Sequence, residues 1–420
     1  MMFFCTTLTG CYDALEIDDE VYTLAIGIDK GTNNKIRLTI QYPVYKSESG
    51  GESKGGGQTG DKGKGGGQNT VSGTNVETIE TSSIIGGLDI FGMSISRRVS
   101  LMHTKLLIFS EEFAKEGVSR YLSPISRFRE TRGEMNILVV QGKAEDYMKE
   151  NKTNIGESLA KAIELMMEQS GNTSFFPRVT FNKFYRNTIS TFEQGYAAYA
   201  GVNDFSKLSS ESKTDVPPLE TDKGFSPGNL PREGITKREY AGTAVFNGGK
   251  MVGTLNSSET RYFMMITGDF KRGILELRDK KSPDDVILLD IRPSRSPVLK
   301  GHFEHGTPVI DIKIRLEGDI GSIQSRINYE NIKELEELNR QAADYIRENT
   351  VKVIDKVQKE YKSDIFSFGK KFAGYFSTIQ EWEKYDWLSH FKDAKVNVTV
   401  SFNIRRTGLM INSSTIHEAK

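Results

Sequence analysis

The chain has 420 residues, of which 37% are hydrophobic, enough to form the cores of two or three globular domains. Its 56 Lys and Arg balance 56 Asp and Glu, which removes any whole-molecule electrostatic argument for a nucleic-acid partner. The only two cysteines are Cys5 and Cys11, so the body of the chain can hold neither a disulfide framework nor a cysteine-ligated metal, and its stability must come from core burial.

From the N-terminus, the short apolar run Met1-Met2-Phe3-Phe4 leads to Leu8-Thr9-Gly10-Cys11, which reads as a bacterial lipobox. The Cys11 thiol would take a diacylglyceryl group and its freed amine an acyl chain, while Gly10 leaves room for a peptidase to cut before it. Two or more chains on one residue give a stable anchor where a single chain is marginal. Residues 1–10 are then a signal-peptide remnant. The first basic residue is Lys30, so a basic leader is missing and the true start is expected upstream. Later apolar runs such as Ile137-Leu138-Val139-Val140 and Phe263-Met264-Met265-Ile266 fall far short of the roughly 18 residues that span a bilayer.

Strands are predicted over 21–28, 35–45 and 75–84, with Ile36, Leu38 and Ile40 alternating with polar residues. Between them, residues 46–75 are rich in Gly, Ser and Lys, and such a segment buries too little apolar surface to offset its ordering entropy, so a mobile hairpin loop is expected. It is no phosphate loop: Lys64 is followed by Gly65 where Ser or Thr is required. Helical spacing over 90–101, a buried strand over 104–109, helices over 111–121 and 125–132 and a strand over 135–140 complete an N-terminal α/β or α+β domain, residues 11–140.

An amphipathic helix is predicted over 155–169, ended by Gly171-Asn172, and 181–200 reads as further helix with aromatic packing. Residues 141–205 are taken as a small middle domain. Pro217-Pro218, Pro227-Gly228 and Pro231 mark a linker over 206–235. The C-terminal domain, 236–420, opens on a hairpin, Thr243 to Phe246 and Met251 to Leu255 around Asn247-Gly248-Gly249. A helix over 258–267 and strands over 273–278, 285–292, 296–304 and 307–317 follow. Ile332, Leu335, Leu338, Ala342, Ile346, Val353, Val357 and Tyr361 recur at helical spacing over about eight turns, the stripe of a sheet-covering helix. Val396, Val398, Val400, Phe402 and Ile404 alternate strictly in a closing strand over 395–406. Trp387 and Phe391, four apart, are expected to share a helical face that locks onto this sheet.

Little in the chain looks catalytic. His302-x-x-His305 suggests a metal, but residues three apart on a strand point to opposite faces and no third ligand has suitable spacing, so surface histidines are expected. No G-x-S-x-G elbow, H-E-x-x-H or paired-carboxylate arrangement is evident. No catalytic residue, metal or cofactor is assigned, and no nucleic-acid partner.

A set of short motifs runs along almost the whole chain. They are Gly10-Cys11-Tyr12-Asp13-Ala14-Leu15-Glu16-Ile17 and Ala25-Ile26-Gly27-Ile28-Asp29, then Arg98, His103, Glu111-Glu112 and Arg127-x-x-Glu130-x-Arg132. Gly242-Thr243-Ala244-Val245-Phe246 with Glu259-Thr260-Arg261 follows, then Asp364-Ile365-Phe366-Ser367-Phe368-Gly369, Trp387-x-x-x-Phe391 and Gly408. In order and spacing they resemble the Ger(x)C family, the lipoprotein C subunits of nutrient germinant receptors in endospore-forming bacteria. Tyr12 stands where Trp is usual, and Ser367 where Gly is usual, so the backbone at 367 is expected to avoid conformations only Gly tolerates.

The resemblance implies an extracytoplasmic protein of three consecutive globular domains, mixed α/β or α+β, each built on a mixed sheet with covering helices, with the long helix in the C-terminal one. It further implies a lipid tether at Cys11 to the spore inner membrane and integral-membrane A- and B-type receptor subunits as partners. Assembly or signalling is the implied role. Two other readings stay open, a free-standing solute-binding lipoprotein and an envelope hydrolase.

Overall fold

A computed structural model describes residues 19–33, 35–46, 70–153, 158–206, 224–325 and 327–407. The lipobox residues Leu8, Thr9, Gly10 and Cys11, the motif residues Asp13, Glu16 and Gly408, and positions 47–69 of the Gly/Lys-rich segment lie outside the described residues.

In chain order the first part comprises β1 (Glu20–Tyr22), β2 (Ala25–Lys30), β3 (Ile36–Lys46), β4 (Thr70–Thr81), α1 (Ile84–Phe91), β5 (Arg98–Ser100), β6 (Leu106–Ser110), α2 (Glu111–Glu116), α3 (Ser119–Arg127), β7 (Asn136–Val140), α4 (Ala144–Lys149), α5 (Leu159–Thr173), α6 (Phe181–Thr188) and β8 (Tyr196–Val202). The rest comprises β9 (Arg238–Asn247), β10 (Lys250–Leu255), α7 (Ser257–Thr267), β11 (Gly273–Arg278), β12 (Val286–Glu304), β13 (Thr307–Ile323), α8 (Ile332–Lys356), α9 (Ile379–Tyr385), α10 (Trp387–His390) and β14 (Lys395–Arg406). The fold is mixed α+β, as expected, and the long C-terminal helix is present.

Continuous apolar runs dictate the centre. Every residue of β6 and of β7 is buried, which a strand tolerates only with both sheet faces covered. These strands lie in an eight-stranded sheet of order β10-β9-β8-β7-β6-β2-β3-β4. Its four central strands, β8, β7, β6 and β2, run parallel, and an antiparallel hairpin flanks them on each side. Alternate residues serve the two faces: Leu106, Ile108, Leu138 and Val140 pack with α4 and α5 residues such as Met148 and Ile163, whereas Leu107, Phe109, Ile137 and Val139 join the larger core with Phe113 and Phe184.

The second sheet, β11-β12-β13-β14, is antiparallel except for the last pair. Helix α8 buries Leu338, Ala342, Ile346 and Val353, and these belong to one apolar core that runs from Ile26 and Phe109 in the first sheet to Ile312 and Ile404 in the second. The helical stripe continues past Lys356 as a π-turn over 357–361 and ends at Lys362, which is left-handed.

The allotment of sheets among segments departs from expectation. Among the described residues, 141–205 carry no sheet of their own: their one strand, β8, is hydrogen-bonded between β7 and β9. Residues 236–420 are likewise divided, since β9 and β10 complete the first sheet and only β11 to β14 form the second. Residues 196–202 are strand where helix was predicted, because Tyr196-Ala197-Ala198-Tyr199-Ala200 is placed between two strands that satisfy its backbone. The helix expected over 90–101 lies earlier, at 84–91, where the Ser83 hydroxyl accepts from Gly86 N and starts it. The strands expected over 285–292 and 296–304 are one strand; Pro293 and the residues up to Val298 are absorbed by register shifts in the β12–β13 ladder. The Gly/Lys-rich segment is shorter than 46–75, since Val71, Gly73, Thr74 and Asn75 pair with β3.

Candidate functional site at the seam of the two sheets

Most of the residues singled out in the sequence gather into three places, and Arg98, Glu130 and His103 lie apart from them near β1. On β2, Gly27 and Asp29 seat α4. The buried Asp29 carboxylate accepts from Ala144 N at 2.7 Å and Glu145 N at 3.0 Å, the first turn of that helix. Burial raises its pKa above the ordinary carboxylate value, against the pull of those two N–H groups. Gly27 permits the approach, because a Cβ there would lie 2.5 Å from Met148 Sδ and 3.1 Å from Ala144 Cβ.

The second place brackets α7. Gly242 has φ +114° and faces the backbone of Leu255 across the β9–β10 hairpin. Asn256 and Glu259 form a reciprocal capping box, and Glu259 also holds Lys356 of α8 at 2.9 Å, which ties the two helices together. Near β1, Glu130 is buried and paired with Arg98, and it accepts from Leu101 N at 3.1 Å. His103 is exposed and stands edge-on to Tyr22, with ring centroids 4.7 Å apart.

The third place joins the sheets. Asp364 is fully buried and its carboxylate accepts from Phe366 N at 3.0 Å, Phe368 N at 3.2 Å, Gly369 N at 2.9 Å and the Trp387 indole Nε1 at 2.8 Å. Burial pushes its pKa up to about 6, and the four donors oppose that rise. The same residue's carbonyl accepts from Gln194 N at 2.8 Å, and the Ser363 hydroxyl donates to Phe246 O of β9, so this loop bonds directly to the first sheet. Gly369 is required by proximity: a Cβ there would lie 2.5 Å from Trp387 Cδ1. Trp387 stacks on Phe372 at 4.7 Å, with Phe391 at 6.2 Å, and both motif aromatics are buried. Asp364, Gly369, Trp387 and Phe391, 27 positions apart at most, thus make one constellation. The expected shared face is real, although α10 ends at His390 and Phe391 begins a 3-10 turn.

Ser367 corrects an expectation. It adopts φ 62° and ψ 31°, the left-handed region that Gly favours, and its hydroxyl donates to the buried Glu193 carboxylate. That bond, together with the four-fold grip on Asp364, holds a non-glycine residue in a conformation it rarely takes.

Beside this loop lies a cleft of about 750 Å³ between α6, the start of β8, the end of α7 and the bend of β12. Arg186 and Lys371 also line it, and two of its lysines are paired. Lys370 meets Glu193 at 2.5 Å, and Lys183 meets Asp269 at 3.3 Å and lies 5.2 Å from the centre of the Tyr196 ring. Burial raises the Tyr196 phenol to about 12, with Lys183 pulling the other way. For Lys183, burial lowers the amine while Tyr196 and Asp269 outweigh it, leaving the pKa raised. Ser367 is bonded to Glu193, whose charge Lys370 meets. Glu193, Ser363 and Lys356 had no local sequence signal; only their partners in the fold distinguish them from other polar residues.

His302 contacts Glu304 at 3.1 Å and Asp311 at 3.5 Å, while His305 occupies the β12–β13 turn with φ 49°. Among the described residues no group of three or more His, Cys, Asp or Glu side chains could hold a metal ion, and no helix is long and apolar enough to cross a membrane.

Comparison with known proteins matches residues 13–201 to the family model described as spore germination protein N-terminal domain, and residues 241–408 to the model described as spore germination B3/GerAC like, C-terminal. The chain belongs to the Ger(x)C family. The two matches hold the three constellations between them: Gly27 and Asp29 fall in the N-terminal model, and Gly242, Glu259, Asp364, Gly369, Trp387 and Phe391 in the C-terminal one. Among Ger(x)C relatives, spore germination protein YndF of Bacillus subtilis (strain 168) is 27% identical over 96% of this chain and 94% of its own length. Spore germination protein GerQC of Bacillus cereus is 20% identical over 96% of each, and spore germination protein B3 of Bacillus subtilis (strain 168) is 22% identical over 97% of this chain and 96% of its own. The crystal structure of the GerBC protein aligns with a TM-score of 0.48 at 17% identity, covering 90% of this chain and 96% of that one.

Proposed function

We propose that this protein is the lipid-anchored C subunit of a nutrient germinant receptor, a non-catalytic assembly or signalling subunit held on the extracytoplasmic face of the spore inner membrane beside integral-membrane A- and B-type subunits. The observation that carries this reading is the succession of N- and C-terminal spore-germination models along one chain, in a sequence that begins with the Leu8-Thr9-Gly10-Cys11 lipobox pattern. A diacylated, N-acylated Cys11 supplies enough buried methylene to hold the chain at the bilayer. The seam then has a plain use in such a subunit: a rigid connection between two sheets keeps any surface on one in fixed register with the other.

Fractionation of spores carrying Cys11→Ala tests the anchor. The variant is expected in the soluble fraction while the wild-type chain stays with the membrane. Retention of the variant in a strain that lacks the A- and B-type subunits would refute the lipid tether. Pull-down of those subunits with the wild-type chain tests the partnership separately, and failure to recover either would remove it.

A further inference from the structure

Within the motif Glu259-Thr260-Arg261, the cap uses Glu259, and Thr260 bonds to Thr243 at 2.9 Å. Arg261 does neither. It lines a cavity of about 490 Å³ between the end of α5, the start of α7 and β11, together with Phe175, Tyr262, Ile274 and Leu288. Only 8% of Arg261 is exposed, and among the described residues it makes no ion pair. Its Nη1 donates to Ile274 O at 2.6 Å, its Nη2 reaches Thr173 O at 3.4 Å, and its Nε has no partner. The Phe175 ring centre lies 4.8 Å from the guanidinium carbon.

We infer that this cavity binds a small monocarboxylate carrying an apolar group, with the Arg261 guanidinium as the partner of the carboxylate. A guanidinium offers five N–H donors and no acceptor, and two carbonyls occupy only part of that set without neutralising the charge. A buried charge with no counter-ion is costly, and a carboxylate is the ligand whose geometry matches the planar fork. Burial lowers the Arg261 pKa from its ordinary value, against the pull of the Tyr262 and Tyr345 phenols. Gly273 keeps the space, since a Cβ there would lie 3.1 Å from Arg261 Nε. A largely apolar lining with one convergent charged group, at a volume inside the range of about 300–1,000 Å³ typical of small-molecule sites, suits a ligand with one polar end.

The other charges on the lining select a monoanion. Arg272 is committed to Asp290, with its Nε at 2.8 Å, and Glu276 sits opposite Leu288 in the β11–β12 ladder. With Arg272 committed, the Arg261 guanidinium meets the anion without help from it, which suits the single charge of a monocarboxylate better than a dianion such as phosphate. The inference is independent of the receptor role, because it rests on this cavity alone.

Calorimetric titration of the purified full chain with 3-phenylpropionate, 3-phenylpropanol and inorganic phosphate tests it. The carboxylate is expected to bind saturably with one site per chain, and the alcohol and phosphate about tenfold or more weakly. Arg261→Gln should weaken 3-phenylpropionate about tenfold or more while leaving 3-phenylpropanol unchanged. Leu288→Trp fills the cavity from a half-buried position without touching the charge, and it should abolish both; it also serves if Arg261→Gln fails to fold. Absence of saturable carboxylate binding, equal affinity for carboxylate and alcohol, phosphate binding as tight as the carboxylate, or binding that survives Leu288→Trp would each overturn the inference.

Discussion

Trp387→Phe isolates the link on which the seam depends. The indole is 1% exposed and gives the fully buried Asp364 carboxylate one of its four donors. Phenylalanine keeps most of the stacking on Phe372 but loses that donor, and a hydrogen bond to a charged group contributes about 1.5–3 kcal/mol. Trp387→Ala adds the loss of the ring itself, about 3–5 kcal/mol for a buried Trp. The pH dependence separates the donor from the packing. Asp364 has a folded pKa of about 6 because burial disfavours its charged form. With the folded value above the unfolded one of about 3.9, its contribution to stability is full below pH ~4 and is lost as pH rises through 6. Removing the indole donor raises the folded pKa further, so the Trp387→Phe penalty should be larger at pH 7.5 than at pH 5. Urea midpoints of the whole chain at the two pH values measure it. The whole chain is needed, since residues 236–420 alone would strip β9 and β10 from β8. An equal penalty at both pH values would refute the role assigned to the Asp364 bond. An unchanged midpoint with loss of co-purification with the proposed membrane subunits would instead make Trp387 a docking residue.

Gly369→Ala places a Cβ 2.5 Å from Trp387 Cδ1; overpacking of about 1–3 kcal/mol is expected, with a shifted tryptophan emission, and a wild-type midpoint would show that the loop can yield. Asp29→Ala deprives Ala144 N and Glu145 N of their acceptor, which should cost about 1–2 kcal/mol in urea unfolding and speed amide exchange in α4 before the rest of the sheet. Deleting Ser47 to Asn69, which spares the residues paired in β4, should leave the midpoint within about 1 kcal/mol, because closure entropy changes slowly with loop length. A large drop in melting temperature would show that the segment packs against the sheet.

Where a pattern is local, the sequence alone decided it. The stripe from Ile332 to Val357 could only be an amphipathic helix; the alternation from Val396 to Ile404 could only be a strand with one covered face; the turn at Asn247-Gly248-Gly249 set the β9–β10 register. The ordered motifs from Gly27 to Phe391 also sufficed for the family. Tertiary structure decided what depends on partners distant in the chain. Tyr196 to Val202 is a strand because β7 and β9 stand on either side of it, and no periodicity within seven residues encodes that. Two prolines read as a break in β12 until the bulges opposite β13 accommodate them. Ser367 takes a left-handed conformation because Glu193, 174 positions away, receives its hydroxyl. Local sequence fixes which backbone conformations are inexpensive, whereas hydrogen-bond partners and burial, supplied by the rest of the chain, decide which costly ones are worth adopting.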